Sequence, residues 1–302
     1  MKHLQTLKLI DAVTRAGSIR KAAEDMHITS SALNRRILGF EEEFGAAIFE
    51  RLHGGVRLNP AGELLIQHIR GQMADLDRVR SQVADLSGLR RGHVSIACSQ
   101  AIQPYFMPAQ IAAYRAEHPD VSFSVHVRDR DAAEADLRAF ESDLALVFEP
   151  VHIGDIDVLL AVEQPVYAVM EKTHPLATKK KLRLRDCLGY AHVVPPKRIG
   201  IRYLLDLAVA SMSQKMEPIA EADSFEFMRH YVQHERAVGF QFPIGLNISG
   251  DDRLVFRPLP KEDVPYGTLA LMQMRGRTLS VASARFANQL ATALTSLRNN
   301  LD

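Results

Sequence analysis

The sequence predicts an α/β chain in three parts: a winged helix-turn-helix, one long helix, and a remainder in which strands and helices alternate. Three observations carry this. Two short helical patterns separated by a few residues open the chain, and the second has a polar, basic outer face. From Pro60 to Leu86 a single helical stripe continues with Gly71 as the one glycine beyond its first turn. From His93 onward, short apolar runs alternate with amphipathic segments.

The 302 residues suffice for two or three domains, and 47% of them are hydrophobic, so a sizeable core can be buried. The formal net charge is only +1, which means that any basic surface must be local. The opening MKHLQTLKLIDAVTRAG is interrupted by Lys8, Asp11 and Arg15 and lacks the continuous apolar region of a signal peptide, which predicts a cytoplasmic location. No apolar run approaches the roughly 18 residues of a membrane span, so no membrane partner is expected. Cys98 and Cys187 have no metal-ligand or redox spacing and are expected to be small buried residues.

The first helix is written by Leu4, Leu7, Ile10 and Val13, broadened by Leu9 and Ala16 and stopped by Gly17. Ser18 can cap a second helix in which Ala22 and Ala23 allow another helix to cross closely. After Thr29-Ser30-Ser31, a third helix buries Ala32, Leu33, Ile37, Phe40 and Phe44 and turns Ser31, Asn34, Arg35 and Leu38 outward. Such a helix can enter the major groove of double-stranded DNA. Arg35 suits guanine O6 and N7, Asn34 suits adenine N6 and N7, and Ser30, Ser31 and Arg36 can reach phosphate or base edges. Residues 1–40 hold seven Lys or Arg against three Asp or Glu, so charge agrees locally. Phe49 to Asn59 reads as a wing with Gly54-Gly55 at its turn, which places Arg51, His53 and Arg57 toward backbone phosphate. On pattern alone, a plain three-helix bundle with solvated arginines remains the alternative.

Gly17-Ser18-Ile19, Ala22-Ala23, Met26, Ile37, Phe40-Glu41, Phe44-Gly45, Ile48-Phe49, Arg51 and Asn59-Pro60-Ala61-Gly62 hold their order and spacing over some sixty residues. In these positions the chain resembles the LysR-type transcriptional regulators. It departs from them at Ser30-Ser31, where Gln-Pro is usual, at Asn34, where Ser is usual, and at Asn59, where Thr is usual. No operator sequence is therefore carried over.

Asn59, Pro60 and Glu63 make a strong start for the long helix. Leu65, Ile69, Met73, Leu76, Val79, Val83 and Leu86 follow at nearly a 3.5-residue repeat, a face suited to pairing with a second helix or to packing on the chain itself. A symmetric dimer would favour an inverted-repeat operator. The resemblance implies a dimer of dimers and, as a further partner, RNA polymerase.

Gly88 to Gly92 reads as a hinge. Beyond it strands are expected at His93 to Cys98, Val121 to Val127, Asp143 to Phe148, Pro165 to Met170, His192 to Val194, Ala237 to Phe240 and Thr268 to Met274. Helices are expected at Pro104 to Glu117, Ala132 to Phe140 and Ser280 to Leu297, which together imply a mainly parallel sheet. The resemblance implies a two-lobed α/β effector domain like a periplasmic binding protein, with crossings near Leu160 to Glu163 and Pro265 to Thr268. The chain then divides into a winged helix-turn-helix at 1–59, a dimerisation helix at 60–87, a hinge at 88–92 and an effector domain at 93–302. Lobe one takes about 93–161 and 267–302, and lobe two about 162–266.

Ligands of open α/β sheets bind beyond the carboxyl ends of strands and at helix N-termini. That rule selects Ser99, Gln100, Phe148, Lys197, Arg198, Ile199, Gly200, Ser224, Phe225 and Gln241, with Asp223 to Glu226 resembling a capping box. Lys197 or Arg198 would suit a carboxylate effector. The effector is expected to change lobe closure and, through the hinge, the spacing of the recognition helices.

Two other functions compete with this reading. For an enzyme, Ser18 to Lys21 matches S-x-x-K and His230 with His234 could chelate a metal, yet neither has partner residues, and no GxGxxG or phosphate loop supports a cofactor. For a stand-alone solute-binding protein, the basic helix-turn-helix has no purpose. No catalytic residue, cofactor or metal is expected.

Overall fold

The computed structural model describes residues 2–86, 92–247 and 253–299. The chain divides into two compact units, Met1–Arg80 and Ser81–Asp302.

In the first unit, α1 (Lys2–Ala16) ends where Gly17 takes φ +60 and donates its N–H to Val13. α2 (Ile19–Asp25) is capped by Ser18, whose hydroxyl accepts from Lys21 N, which is the structural use of the S-x-x-K run. α3 (Ser30–Phe44) is capped by Thr29, and Gly45 in the left-handed region closes it. Ala22, Ala23, Leu33 and Ile37 are buried with Leu9 and Val13, so the two short helices cross on small side chains. Phe44, expected in the core, is instead 47% exposed. It lies in the last turn, beside the cap, and its ring stacks on Phe40 rather than passing beneath it.

The wing is β1 (Phe49–Leu52) paired antiparallel with β2 (Gly55–Leu58), and its turn is His53-Gly54 rather than Gly54-Gly55. Gly55 serves a different need. A Cβ there would lie 2.2 Å from the carbonyl oxygen of Gly17, which also accepts the N–H of Val56 at 2.9 Å. The wing is thereby pinned to the α1–α2 junction. Glu41 of α3 ties its other side, accepting from Ile48 N at 2.7 Å and Phe49 N at 3.2 Å.

α4 (Pro60–Leu86) starts at Asn59, whose Oδ1 accepts from Gly62 N and whose amide donates to Ala47 O. Its first half corrects the pairing stripe read from the sequence. Ile69 is fully buried, with Ile66, against Leu7, Ile10, Phe40 and Ile48, and Leu65 and Met73 pack on the same cluster. The small winged unit needs that face to close its own core. A buried ion pair reinforces the docking: Asp11 accepts from Arg70 at 2.7 Å and from Arg15 at 2.8 Å. Farther along, Val79 and Val83 are 44% and 56% exposed, while the Leu86 side chain lies outside the described residues. So does the expected hinge, apart from Gly92, which opens the next strand.

The second unit holds two five-stranded sheets. Lobe one has β3 (Gly92–Cys98), β4 (Val121–Val127), β5 (Leu144–Phe148) and β6 (Ile156–Gln164), with α5 (Phe106–Glu117) and α6 (Arg130–Arg138) between them. Lobe two has β7 (Tyr167–Glu171), α7 (Leu184–Leu188), β8 (Ala191–Val194), α8 (Gly200–Ala210), β9 (Ala220–Glu221), α9 (Phe225–His234), β10 (Ala237–Gln241) and β11 (Leu254–Pro258). The chain returns to lobe one as β12 (Gly267–Met274) and ends in α10 (Val281–Asn299). The orders are β4-β3-β5-β12-β6 and β11-β7-β10-β8-β9.

Two expectations change here. The sheets are mixed, because β12 runs antiparallel to β5 and β6, and β7 runs antiparallel to β10 and β11. These reversed strands are the first strand after each crossing, where a direct link between lobes replaces a crossover helix. The first crossing also falls later than Leu160 to Glu163. Those four residues belong to β6, where Leu160 pairs with Leu271 and Glu163 with Thr268, and the chain passes at Pro165-Val166. The return occupies 259–266. β6 escaped notice because Val158 and Leu159 are both exposed and break the alternation of an ordinary half-buried strand.

One apolar cluster runs through both lobes, from Ile96, Leu144 and Phe286 to Val193, Phe240 and Phe256. Within lobe two, His174 is buried, its Nδ1 accepts from Leu176 N at 3.2 Å, and its ring meets that of Tyr190. Burial, with the nearby Arg236 charge, holds its pKa below the ordinary histidine value. The unfolded chain therefore takes up a proton before the folded one, and stability falls as pH drops below about 6.5 toward the depressed folded value. His174→Asn keeps an acceptor and removes the titration. Thermal unfolding of the variant is expected to lose less between about pH 7.5 and about pH 5.5 than the parent protein; equal losses would remove His174 as the source.

Candidate functional site

The first unit presents a polar face built on α3 and the wing. Ser30, Ser31, Arg35 and Arg36 are exposed along α3, and His53 is exposed in the wing turn. Asn34 is half-buried and its Oδ1 accepts from Arg51 Nη2 at 3.1 Å, which links the helix to β1. Arg57 is cross-strand from Glu50 and paired with it at 2.8 Å. Four of the expected DNA contacts are thus already engaged: Asn34 and Arg51 with each other, Arg57 with a carboxylate, and Ser31, whose hydroxyl lies 3.3 Å from that of Thr29. Arg35 carries no ion pair among the described residues, and its guanidinium faces solvent.

In the second unit, six of the ten expected effector residues line one cleft between the lobes: Ser99, Gln100, Phe148, Ile199, Gly200 and Phe225. Local structure explains each placement. Ser99 follows β3 and its hydroxyl accepts from Phe148 N at the end of β5. Gln100 reaches across to accept the N–H of Phe225, in the first turn of α9, at 2.8 Å. Phe148 stacks on Phe242 with centroids 3.7 Å apart. Gly200, the first residue of α8, is required by close approach, since a Cβ there would sit 3.0 Å from the Phe148 carbonyl oxygen. With the lobes in contact, the cleft measures about 310 Å³, including its part open to solvent.

The other four lie elsewhere. Lys197 is exposed and does not line the cleft. Arg198 bridges Asp223 at 2.6 Å and Asp129 at 3.4 Å, so its charge is spent on two carboxylates from opposite lobes. Ser224 caps α9 by accepting from Phe227 N; the capping box fails because the third helical residue is Phe227, and Glu226 turns to Arg229 and His230 instead. Gln241 is buried, accepts from Phe242 N and opens onto a neighbouring cavity.

Arg128, Asp129 and Arg130 also line the cleft, although sequence reasoning passed over them. They directly follow β4, so the rule that selected Ser99 after β3 selects them as well. Arg128 is paired with Asp136 at 2.8 Å. Arg130 meets no carboxylate among the described residues; it donates to Glu149 O, lies 4.9 Å from the Tyr203 ring centroid, and has a buried Nε–H without an acceptor.

Burial pushes both thiols up to about 12, at Cys98 beside the cleft and at Cys187, so neither offers a thiolate near neutral pH. His230 bonds Glu226 Oε1 at 2.9 Å, and no group of three potential ligands that could hold a metal occurs among the described residues. No helix among them is long and apolar enough to cross a membrane.

Residues 4–63 match the family model described as "Bacterial regulatory helix-turn-helix protein, lysR family", and residues 87–295 match "LysR substrate binding domain". The Escherichia coli transcriptional activator protein LysR is 27% identical over 303 residues, covering 99% of this chain and 96% of that one. Among solved structures, a full-length OxyR from Pseudomonas aeruginosa aligns with a TM-score of 0.71 at 20% identity, over 96% of this chain and 94% of that one. CbnR in complex with its target DNA aligns with a TM-score of 0.62 at 16% identity, over 96% and 99%. At these identities the structural likeness speaks to fold.

Proposed function

The chain belongs to the LysR family of transcriptional regulators, with a DNA-binding helix-turn-helix and an effector-binding domain, and from that premise we propose that it reads an inverted-repeat operator as a homo-oligomer and responds to a small carboxylate. The observation that carries the effector reading is Arg130. A guanidinium that has no carboxylate partner and no acceptor for its Nε–H among the described residues lines the cleft between the lobes, where a carboxylate can accept two of its donors. Lys197 and Arg198, which the sequence offers for this role, are respectively outside the cleft and already paired.

A cleft of about 310 Å³ is at the small end for a ligand site, so entry must separate contacts that now hold the lobes together, above all Gln100 to Phe225 and Phe148 to Phe242. The effector acts by binding the parted and closed arrangements unequally. Calorimetry with a panel of small mono- and dicarboxylates and their amides tests this on the full-length protein. Carboxylate binding should weaken about tenfold or more in Arg130→Met, and effector should alter the operator footprint. Binding of amides alone, or carboxylate binding indifferent to Arg130, would overturn it.

DNA recognition rests on Ser30, Ser31, Asn34, Arg35 and Arg36 from α3 and on Arg51, His53 and Arg57 from the wing. Arg57→Ala should lower the slope of log affinity against log salt by about 0.9, the value of one phosphate contact. Glu50→Gln should tighten binding, because it removes a carboxylate that competes with phosphate for Arg57. Fluorescence anisotropy across a salt series reads both, and an unchanged slope in Arg57→Ala would remove that residue from the interface.

Subunit pairing falls to the later half of α4, through Leu76, Val79 and Val83, because Leu65, Ile69 and Met73 serve the winged unit. Leu64, 79% exposed, adds an apolar side chain at the start of the helix. The regulator works in the cytoplasm, contacts RNA polymerase at its promoters and carries out no catalysis of its own.

A further inference from the structure

Beside the cleft lies a second cavity of about 400 Å³, including its part open to solvent. Its walls are apolar, formed by Val169, Phe225, Met228, Phe240 and Leu246. Its charged groups come from α9: Arg229 Nη2 donates to both oxygens of Glu226, at 2.7 and 2.8 Å. Arg229 Nη1 donates to the hydroxyl of Tyr105, which reaches in from lobe one.

The electrostatics of this cavity differ in kind from those of the cleft. Arg229 and Glu226 neutralise each other; partial burial works to raise the Glu226 pKa, but the bonds from Arg229 and His230 outweigh it and hold the carboxyl below its ordinary value. Yet the Nε–H of Arg229 is buried and has no acceptor among the described residues. A buried donor in that state is a standing penalty that a ligand oxygen can relieve. A carboxylate entering here would face Glu226 and add an uncompensated negative charge beside apolar walls, and an ammonium would face Arg229. A neutral molecule with an apolar body and a carbonyl oxygen avoids both costs.

We propose that this cavity is a second ligand site, selective for neutral, apolar molecules that carry a carbonyl acceptor, with Arg229 as the anchoring donor. Tyr105 and Arg229 belong to different lobes and both line the cavity, so a ligand held at the Arg229 Nε–H also wedges against the Nη1 contact that spans the lobes and loosens their closure. The domain would then integrate two signals of unlike charge through one movement. The proposal goes beyond the carboxylate reading and does not depend on it.

Full-length protein labelled with 13C at the methionine methyls provides a local readout, because Met228 lines this cavity and not the cleft. Met228→Leu assigns its resonance. Titration with hexanamide should give a saturable shift of that resonance, while hexanoate and hexylammonium should bind there about tenfold more weakly or not at all. Arg229→Met should weaken hexanamide about tenfold. Glu226→Gln, at an exposed side chain and with the guanidinium left uncompensated, should reverse the preference so that hexanoate outcompetes hexanamide. A Met228 resonance unmoved by hexanamide, an equal response to hexanoate in the unmodified protein, or an unchanged preference in Glu226→Gln would each overturn the proposal. Loss of carboxylate binding in Arg130→Met has no bearing on these outcomes, so the two sites fail separately.

Discussion

Gly62→Ala is expected to destabilise the DNA-binding unit by about 3 kcal/mol and to abolish operator binding, while the effector domain keeps its own unfolding transition. The new methyl group would lie 2.1 Å from the carbonyl oxygen of Ile48 and 2.9 Å from Leu58 Cδ2. The Leu58 side chain can give way. The Ile48 carbonyl cannot, because it accepts the N–H of Asn59 at 3.1 Å, and Asn59 in turn caps α4 through the N–H of Gly62. Relieving the clash therefore pulls apart the helix start and the segment that leads into β1. Overpacking alone costs about 1–3 kcal/mol, and loss of the cap adds about 1 kcal/mol. Gly39→Ala serves as the contrast, since nothing lies within 4 Å of its added Cβ and it sits inside α3. It should leave stability unchanged or raise it by up to about 1 kcal/mol. Chemical denaturation of the two variants reads the difference, and a Gly62→Ala protein as stable as its parent would show that the backbone at Ile48 is softer than its hydrogen bonds suggest.

Arg35→Ala should weaken binding to the specific operator by about 1–3 kcal/mol and relax the preference at one base position. Arg35 is the cleanest test of base reading on α3, because its side chain is exposed and makes no ion pair among the described residues. Asn34 is less suitable. Its Oδ1 is held by Arg51 in the free protein, and a bidentate contact with adenine needs both Oδ1 and Nδ2, so Arg51 must release it first. Asn34→Ala would disturb the helix and the wing together. Affinity measured on a set of single-base operator variants distinguishes the roles: an Arg35→Ala loss of the same size on every sequence would make Arg35 a phosphate contact.

The fate of the effector residues shows why part of the site was legible and part was not. Ser99, Gln100, Phe148 and Gly200 sit at strand ends or helix starts, where topology by itself directs a residue toward the cleft. Arg128 to Arg130 satisfy the same rule after β4 and could have been found by applying it evenly. Arg198 and Gln241 could not have been excluded that way. Whether a charged or polar side chain is available depends on its partners, and Asp129 lies 69 positions from Arg198 in the chain.

Read without coordinates, the amino-acid order determines the helix-turn-helix, its caps at Ser18, Thr29 and Asn59, the long helix and the strand-helix alternation. Each of these is decided by neighbours within a few residues, through periodicity, capping and steric freedom. Tertiary structure alone decided how shared surfaces are allotted. The stripe on α4 reads in the sequence as a face for a partner helix, with packing on its own chain as the alternative, and burial of Ile69 against Leu7, Ile10 and Phe40 gives its first half to the domain. The direction of β12 and β7, the place of the first crossing and the freedom of the Arg130 charge were settled in the same way. Each depends on segments far apart in sequence competing for one apolar face or one counter-charge, and no local pattern records which of them wins.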